Sequence, residues 1–163
     1  MTEPAYSFGP RESQWPQKSV RDVLLQKGFG VPNLAPTATV LEALEVMESE
    51  QAPAVVVTKN GWLVGIFTEK DYATRVVLSD ECAASLRMEE VMSTDVVTID
   101  PDSSLDACMT LMANHKVRYL PVLAADRVMG ILSLSDVVQA VSQGEREFLS
   151  LFPASGAFEK REI

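Results

Sequence analysis

Two heptapeptides decide the reading of this chain: Gly65-Ile66-Phe67-Thr68-Glu69-Lys70-Asp71 and Gly130-Ile131-Leu132-Ser133-Leu134-Ser135-Asp136. Each runs glycine, two apolar residues, a hydroxyl, two variable residues, acid, and each sits where a strand becomes a helix. At such a junction the hydroxyl and the helix's free N–H groups can hold a phosphate. An acid one helical turn on can accept both hydroxyls of a ribose, the division of labour found in other nucleotide folds. The same residues also spell a plain capping box, with Thr68 or Ser133 as cap and the acid as third-position partner. One copy alone favours the cap; two copies at the same place in a repeat favour a site.

Working outward, residues 31–77 lie on 96–142 at a shift of 65 without a gap. Val31/Val96, Pro36/Pro101, Met47/Met112, Val57/Val122, Gly65/Gly130, Ile66/Ile131, Asp71/Asp136 and Val76/Val141 are identical. Thr39 falls on Ser104, Leu63 on Val128 and Thr68 on Ser133. A period this long indicates two copies of one small α/β unit, not a solenoid. Each copy opens on a short extended segment (Val31 to Ala35, Val96 to Asp100) broken by proline. A helix follows, capped by Thr39 or Ser104, with Asp102 near its positive end. Val40, Ala43, Leu44 and Met47, and in the second copy Leu105, Cys108, Met109 and Met112, recur at helical spacing. Two strands come next, Ala54–Val57 with Leu63–Phe67 and Leu120–Leu123 with Val128–Leu132. Asn60-Gly61 marks a tight turn between the first pair. The second helix begins near Glu69 or Leu134. The order is β-α-β-β-α, given twice.

A copy of this size buries a marginal core alone. Val55, Val56 and Val57 form the continuous apolar run of a strand covered on both faces. The expectation is therefore a mixed α/β (α+β) fold of two pseudo-symmetric copies packed through their sheets, with two equivalent clefts. A polar arm occupies residues 1–18, the copies 19–78 and 79–143, and a tail 144–163 whose Phe148, Leu149, Leu151, Phe152 and Phe158 suit docking on a partner subunit.

The formal net charge of −9 over 163 residues works against nucleic acid and anionic membrane as partners. Two cysteines are too few for a disulfide framework, and the expected location is a reducing cytoplasm. Neither a signal peptide nor a membrane span is legible. One histidine and two distant cysteines cannot form a common zinc site, so no metal is expected. No P-loop or Gly-x-Ser-x-Gly occurs. Lys27-Gly28-Phe29-Gly30 begins a Gly-x-Gly, but Asn33 stands at its third glycine position. The constellation suits equilibrium binding and not an enzyme. His115 reads equally as a phosphate contact at a helix end and as an exposed residue favouring the helix dipole. Trp62 follows a turn and is expected under another subunit.

The repeated unit closing on Gly-apolar-apolar-Thr/Ser-x-x-Asp resembles paired cystathionine-β-synthase-type (CBS) domains, the Bateman module, over about residues 19–142. The second copy matches better, through Val117-Arg118-Tyr119-Leu120-Pro121-Val122, then Val128-Met129-Gly130-Ile131, then Ser133 to Val137. The resemblance implies a stand-alone regulatory sensor, a homodimer that reports to an effector protein. It implies an adenosine-containing ligand in clefts between the copies: AMP, ADP, ATP or NAD, with S-adenosylmethionine less favoured. Asp136 and Asp71 would hold ribose. Ser133, Thr68, Arg118, Lys116 and His115 would hold phosphate. Asn33, Ala35, Thr98, Ile99, Ile131 and Ile66 would line the adenine clefts. The first copy departs from the pattern, since Arg118 falls on Pro53 and Lys116 on Gln51, with Lys70 or Arg75 as candidates to compensate. The Asp136 cleft is therefore expected to be the tighter for phosphorylated ligands. The alternative is an oligomerisation module with vestigial clefts.

Overall fold

The computed structural model describes residues 18–151, with side chains through residue 144. Helix α1 (Val20–Lys27) precedes the first copy. That copy comprises β1 (Asn33–Leu34), α2 (Val40–Ser49), β2 (Ala54–Lys59), β3 (Trp62–Thr68), the single turn α3 (Glu69–Asp71) and a π-helical continuation (Tyr72–Val77). After α4 (Met88–Val91) come α5 (Leu105–His115), β4 (Tyr119–Ala124), β5 (Arg127–Ser133) and α6 (Leu134–Leu151). The expected order is therefore realised in both copies, with the first strand of the second reduced to a parallel bridge between Ile99 and Val122. The arm at residues 1–17 and the tail beyond Leu151 lie outside the described residues.

Local chemistry explains the elements. Thr39 Oγ1 accepts from the Glu42 N–H and Ser104 Oγ from the Ala107 N–H, so both predicted caps start their helices. In β2, Val55, Val56 and Val57 are fully buried. Val55 and Val57 join the core under α2. Val56 pairs in register with Ile66 and is buried on the other face, the side towards the second copy, where β3 meets β5. The repeat extends to backbone conformation. Positive φ recurs at Gln51 and Lys116 (51° and 54°), Asn60 and Ala125 (53° and 47°), and Gly61 and Asp126 (81° and 62°). The first pair ends a helix and the others form a hairpin turn of the kind that matches strand twist. Trp62, expected under another subunit, carries the Arg127 guanidinium 5.1 Å from its ring centroid and is otherwise half exposed.

The two helices before the copies are crossed over. Val20, Val23 and Leu24 of α1 belong to the core of the second copy, and Met88 and Val91 of α4 to that of the first. Backbone bridges Ser19–Ser104 and Thr39–Arg87 place the two helices alike. This crossing explains the glycine of each heptapeptide. A Cβ on Gly65 would collide with Met92, and one on Gly130 with Leu24. The glycines provide the flat floor on which each crossing segment packs.

Candidate functional site

A cavity of about 450 Å³ lies between the copies. One wall is the first copy's junction: Ile66, Thr68, Lys70, Asp71, Thr74 and Arg75. Ser93, Asp95, Val96 and Val97 come from the linker, and His115, Lys116, Val117, Arg118 and Tyr119 from the turn between α5 and β4. The chain carries a net charge of −9, yet here Lys70, Arg75, Lys116 and Arg118 face only two carboxylates, Asp71 and Asp95.

Asp71 stands at the centre of the first wall with a side chain 13% exposed. Its Oδ2 closes the capping box, accepting from the Thr68 N–H and hydroxyl, both at 2.9 Å. The Thr68 oxygen in turn accepts from the Asp71 N–H at 3.3 Å. The plain cap is therefore present, and it commits the Thr68 hydroxyl proton. Asp71 Oδ1 accepts from the Ser93 hydroxyl at 3.2 Å and lies 3.6 Å from Arg75 Nε. The cap uses Oδ2, and Oδ1 is left to Ser93 and Arg75 at the cavity. Arg75 also donates to the carbonyls of Val91 and Met92, at 2.7 and 2.8 Å. These are orphan acceptors, since α4 stops there. Arg75 thus ties the acid to the linker helix.

The cationic wall follows from how α5 ends. Lys116 is the left-handed residue after the helix, its N–H donating to the Ala113 and Met112 carbonyls. Gln51 adopts the same conformation in the first copy, so the fold sets the backbone and the side chain sets the charge. His115 is exposed at the end of α5 and lines the cavity. Burial, then Glu69, pushes the Tyr119 hydroxyl above its ordinary range.

The predicted site residues are grouped otherwise than the resemblance implied. Arg118, Lys116 and His115 share a cavity with Thr68 and Asp71, not with Ser133 and Asp136. Each heptapeptide supplies its own acid, and the strand opposite comes from the other copy. Of the adenine-cleft candidates, Ile66 lines the cavity. Thr98 and Ile99 do not, because Ile99 is in the second core and its backbone pairs with Pro121 and Leu123. Val96 and Val97 line it instead. Asn33 and Ala35 are exposed, and the Asn33 amide oxygen accepts from Thr58. Ser93 and Tyr119 escaped sequence reading. Ser93 lies in the linker, where the shift of 65 gives it no obvious partner.

Asp136 has different company. Its Oδ2 accepts from the Ser133 N–H at 2.8 Å and from the Lys27 ammonium at 2.6 Å. The same ammonium donates to the Ile131 carbonyl at 2.9 Å. The pocket beside it, about 250 Å³, is lined by Val23, Gln26, Lys27, Asp136, Gln139, Ala140 and Gln143. Burial raises the Asp136 carboxyl, but hydrogen bonds from Lys27 and Ser133 outweigh it and hold the group below the usual carboxylate range.

Two crossed β-α-β-β-α copies around a central cleft define a tandem ligand-binding module of the CBS type. The CBS-domain family matches residues 20–77 and 88–143, and the chain belongs to that family. Among its relatives, the CBS domain-containing protein YhcV of Bacillus subtilis is 33% identical over 129 residues, 79% of this chain and 88% of YhcV. A CBS-domain-containing protein of Agrobacterium tumefaciens, ATU1752, superposes with a TM-score of 0.72 at 32% identity, covering 76% of this chain and 99% of that one. The CBS domain pair of MJ0100, solved with 5′-methylthioadenosine and S-adenosyl-L-methionine, shares the fold at a TM-score of 0.66 and 23% identity, covering 78% of this chain and 98% of that one.

Proposed function

We propose that this chain is a regulatory module that binds an adenine nucleotide in the Asp71 cavity and performs no chemistry on it. The observation that carries the reading is the joining of a nearly buried carboxylate with Lys116, Arg118 and His115 from the opposite copy. Asp71 Oδ1 accepts the ribose hydroxyls. Arg118, Lys116 and His115 meet the phosphates, with Lys70 at the opposite wall. Ile66, Val96 and Val97 give the base an apolar seat, and Tyr119 supplies a ring at its edge. The Thr68 hydroxyl, engaged by its cap, contributes by fixing Asp71. Hydrogen bonds and charge are all that this set provides, which suits equilibrium binding. The excess of cations favours AMP, ADP, ATP or NAD over S-adenosylmethionine, whose sulfonium is itself positive. The MJ0100 complex supports an adenosine-type ligand in a fold of this kind.

Binding regulates by stabilising one arrangement of the two copies through differential affinity. Asp71, Ser93 and Arg75 connect the ligand to α4, and α4 connects one copy to the next. Leu134, Val138 and Val141 form an exposed stripe at helical spacing on α6, and Val77 and Leu78 are exposed at the end of the corresponding helix of the first copy. This supports a homodimer built through these helices.

The test is thermal unfolding with AMP, ATP, NAD and, as controls, GMP and CMP. A ligand bound only by the folded state adds RT ln(1 + [L]/Kd), roughly 2.7 kcal/mol at a hundredfold excess over Kd. The adenine nucleotides should raise Tm and the controls should do less. No shift at millimolar concentration, in protein shown by mass spectrometry to be free of nucleotide, would refute the reading.

A further inference from the structure

We infer that Lys27 is a built-in occupant of the Asp136 cleft, so that the chain has one nucleotide site, at Asp71, and a second that its own α1 holds shut. The inference rests on the proposed function for the identity of the ligand. Its own evidence is a comparison of the two copies.

The copies superimpose at a shift of 65, with Thr39 on Ser104, but the crossing helices superimpose at a shift of 68, with Ser19 on Arg87. The segment before the first copy is therefore three residues longer, close to one helical turn. Helix α1 outruns α4 by the four residues Leu24 to Lys27, which carry Lys27 to the junction. In the first copy, the chain leaving α4 sends Ser93 across the junction. Its N–H donates to the Ile66 carbonyl at 2.8 Å and its hydroxyl to Asp71 at 3.2 Å. In the second copy the Lys27 ammonium makes both contacts alone, to the Ile131 carbonyl at 2.9 Å and to Asp136 at 2.6 Å.

The exchange changes what the cleft can receive. Asp71 Oδ1 meets a neutral hydroxyl and, only at 3.6 Å, the Arg75 guanidinium. Asp136 is instead paired directly by an ammonium at 2.6 Å, which a ribose would have to displace. The third difference is consistent. Where α4 stops, Arg75 takes its orphan carbonyls. Where α1 continues, the Leu24 carbonyl accepts from Gly28 within the helix end, and the position matching Arg75 is the buried Ala140. The second cleft also has Gln51 and Pro53 where the first has Lys116 and Arg118. An opened Asp136 cleft should thus take adenosine as readily as AMP.

The experiment titrates adenosine and AMP into the full chain, the Lys27→Ala and Lys27→Met variants, and Lys27→Ala combined with Asp71→Ala or Asp136→Ala. Calorimetry reads stoichiometry, and a cooperative melt confirms folding of each variant. Lys27→Met keeps the stem packed if Lys27→Ala does not fold. The wild type should bind one adenosine per chain and Lys27→Ala two, the added event being at least about tenfold tighter than any binding at that cleft in the wild type. The added event should survive Asp71→Ala and vanish with Asp136→Ala. A wild type with two equal sites, or Lys27 variants that gain none, would overturn the inference. If the wild type binds one nucleotide through Asp71 and the variants gain nothing, the latch falls and the proposed function stands. If the wild type binds none but the variants gain a site dependent on Asp136, the latch stands and the Asp71 reading falls.

Discussion

Asp71 and Asp136 occupy the same place in the repeat and differ in what touches them. Asp71 keeps one oxygen towards a cavity, shared with a serine and an arginine, whereas Asp136 is matched by Lys27. Two predictions belong at this scale. Arg118→Ala should weaken AMP about tenfold or more, since a hydrogen bond to a charged group contributes roughly 1.5–3 kcal/mol. Adenosine should change little, and equal losses for the two in calorimetry would make Arg118 structural. The second concerns acid. Because the folded protein holds the Asp136 carboxyl below its ordinary value, its stabilising contribution is complete above the unfolded value near ~3.9. It is lost as pH falls through the lower folded value. Asp136→Asn should therefore lower the urea midpoint at pH 7, by an amount equivalent to about 1 kcal/mol for a partly exposed pair. The difference from wild type should shrink progressively below pH 4. A difference independent of pH would remove the carboxylate's charge from the account.

Among the elements, legibility varied with how local the deciding physics was. The strands were readable because Val55, Val56 and Val57 run without a polar break and Asn60-Gly61 spells a turn. The equivalent turn at Ala125-Asp126 has the same positive φ values but no glycine to announce it. Helix α1 was not read from the sequence, although Ser19 and Asp22 form a reciprocal capping box at its start and Gly28 ends it. The four residues of α4 are too few to show a period. That each helix packs on the other copy is a tertiary fact with no local signature, and the cleft partners depend on it. Hence the sequence offers the candidate residues, while the crossing decides that Arg118 and Lys116 share a cavity with Asp71. The crossing also makes a prediction. Gly65→Ala sets a Cβ against Met92, including its backbone-proximal carbon, and overpacking of this sort costs typically 1–3 kcal/mol. A denaturant midpoint unchanged from wild type would show that α4 can shift freely.

Across the whole molecule, the two copies share each other's linker helices, so neither is an independent folding unit. One chain should unfold in a single cooperative transition, with coincident midpoints by circular dichroism and tryptophan fluorescence, and two separated transitions would contradict the crossed cores. Light scattering should give a dimer, and a monomer at all concentrations would remove the role given to Leu134, Val138 and Val141. The proposed asymmetry between the clefts rests on three additional residues in one linker, which bring Lys27 to Asp136. The most direct test is calorimetric titration of AMP into the wild type, Asp71→Ala and Asp136→Ala. One AMP per chain, abolished by Asp71→Ala and kept within about twofold by Asp136→Ala, a change of less than ~0.5 kcal/mol, is the expected result. Binding that survives Asp71→Ala and disappears with Asp136→Ala would contradict it.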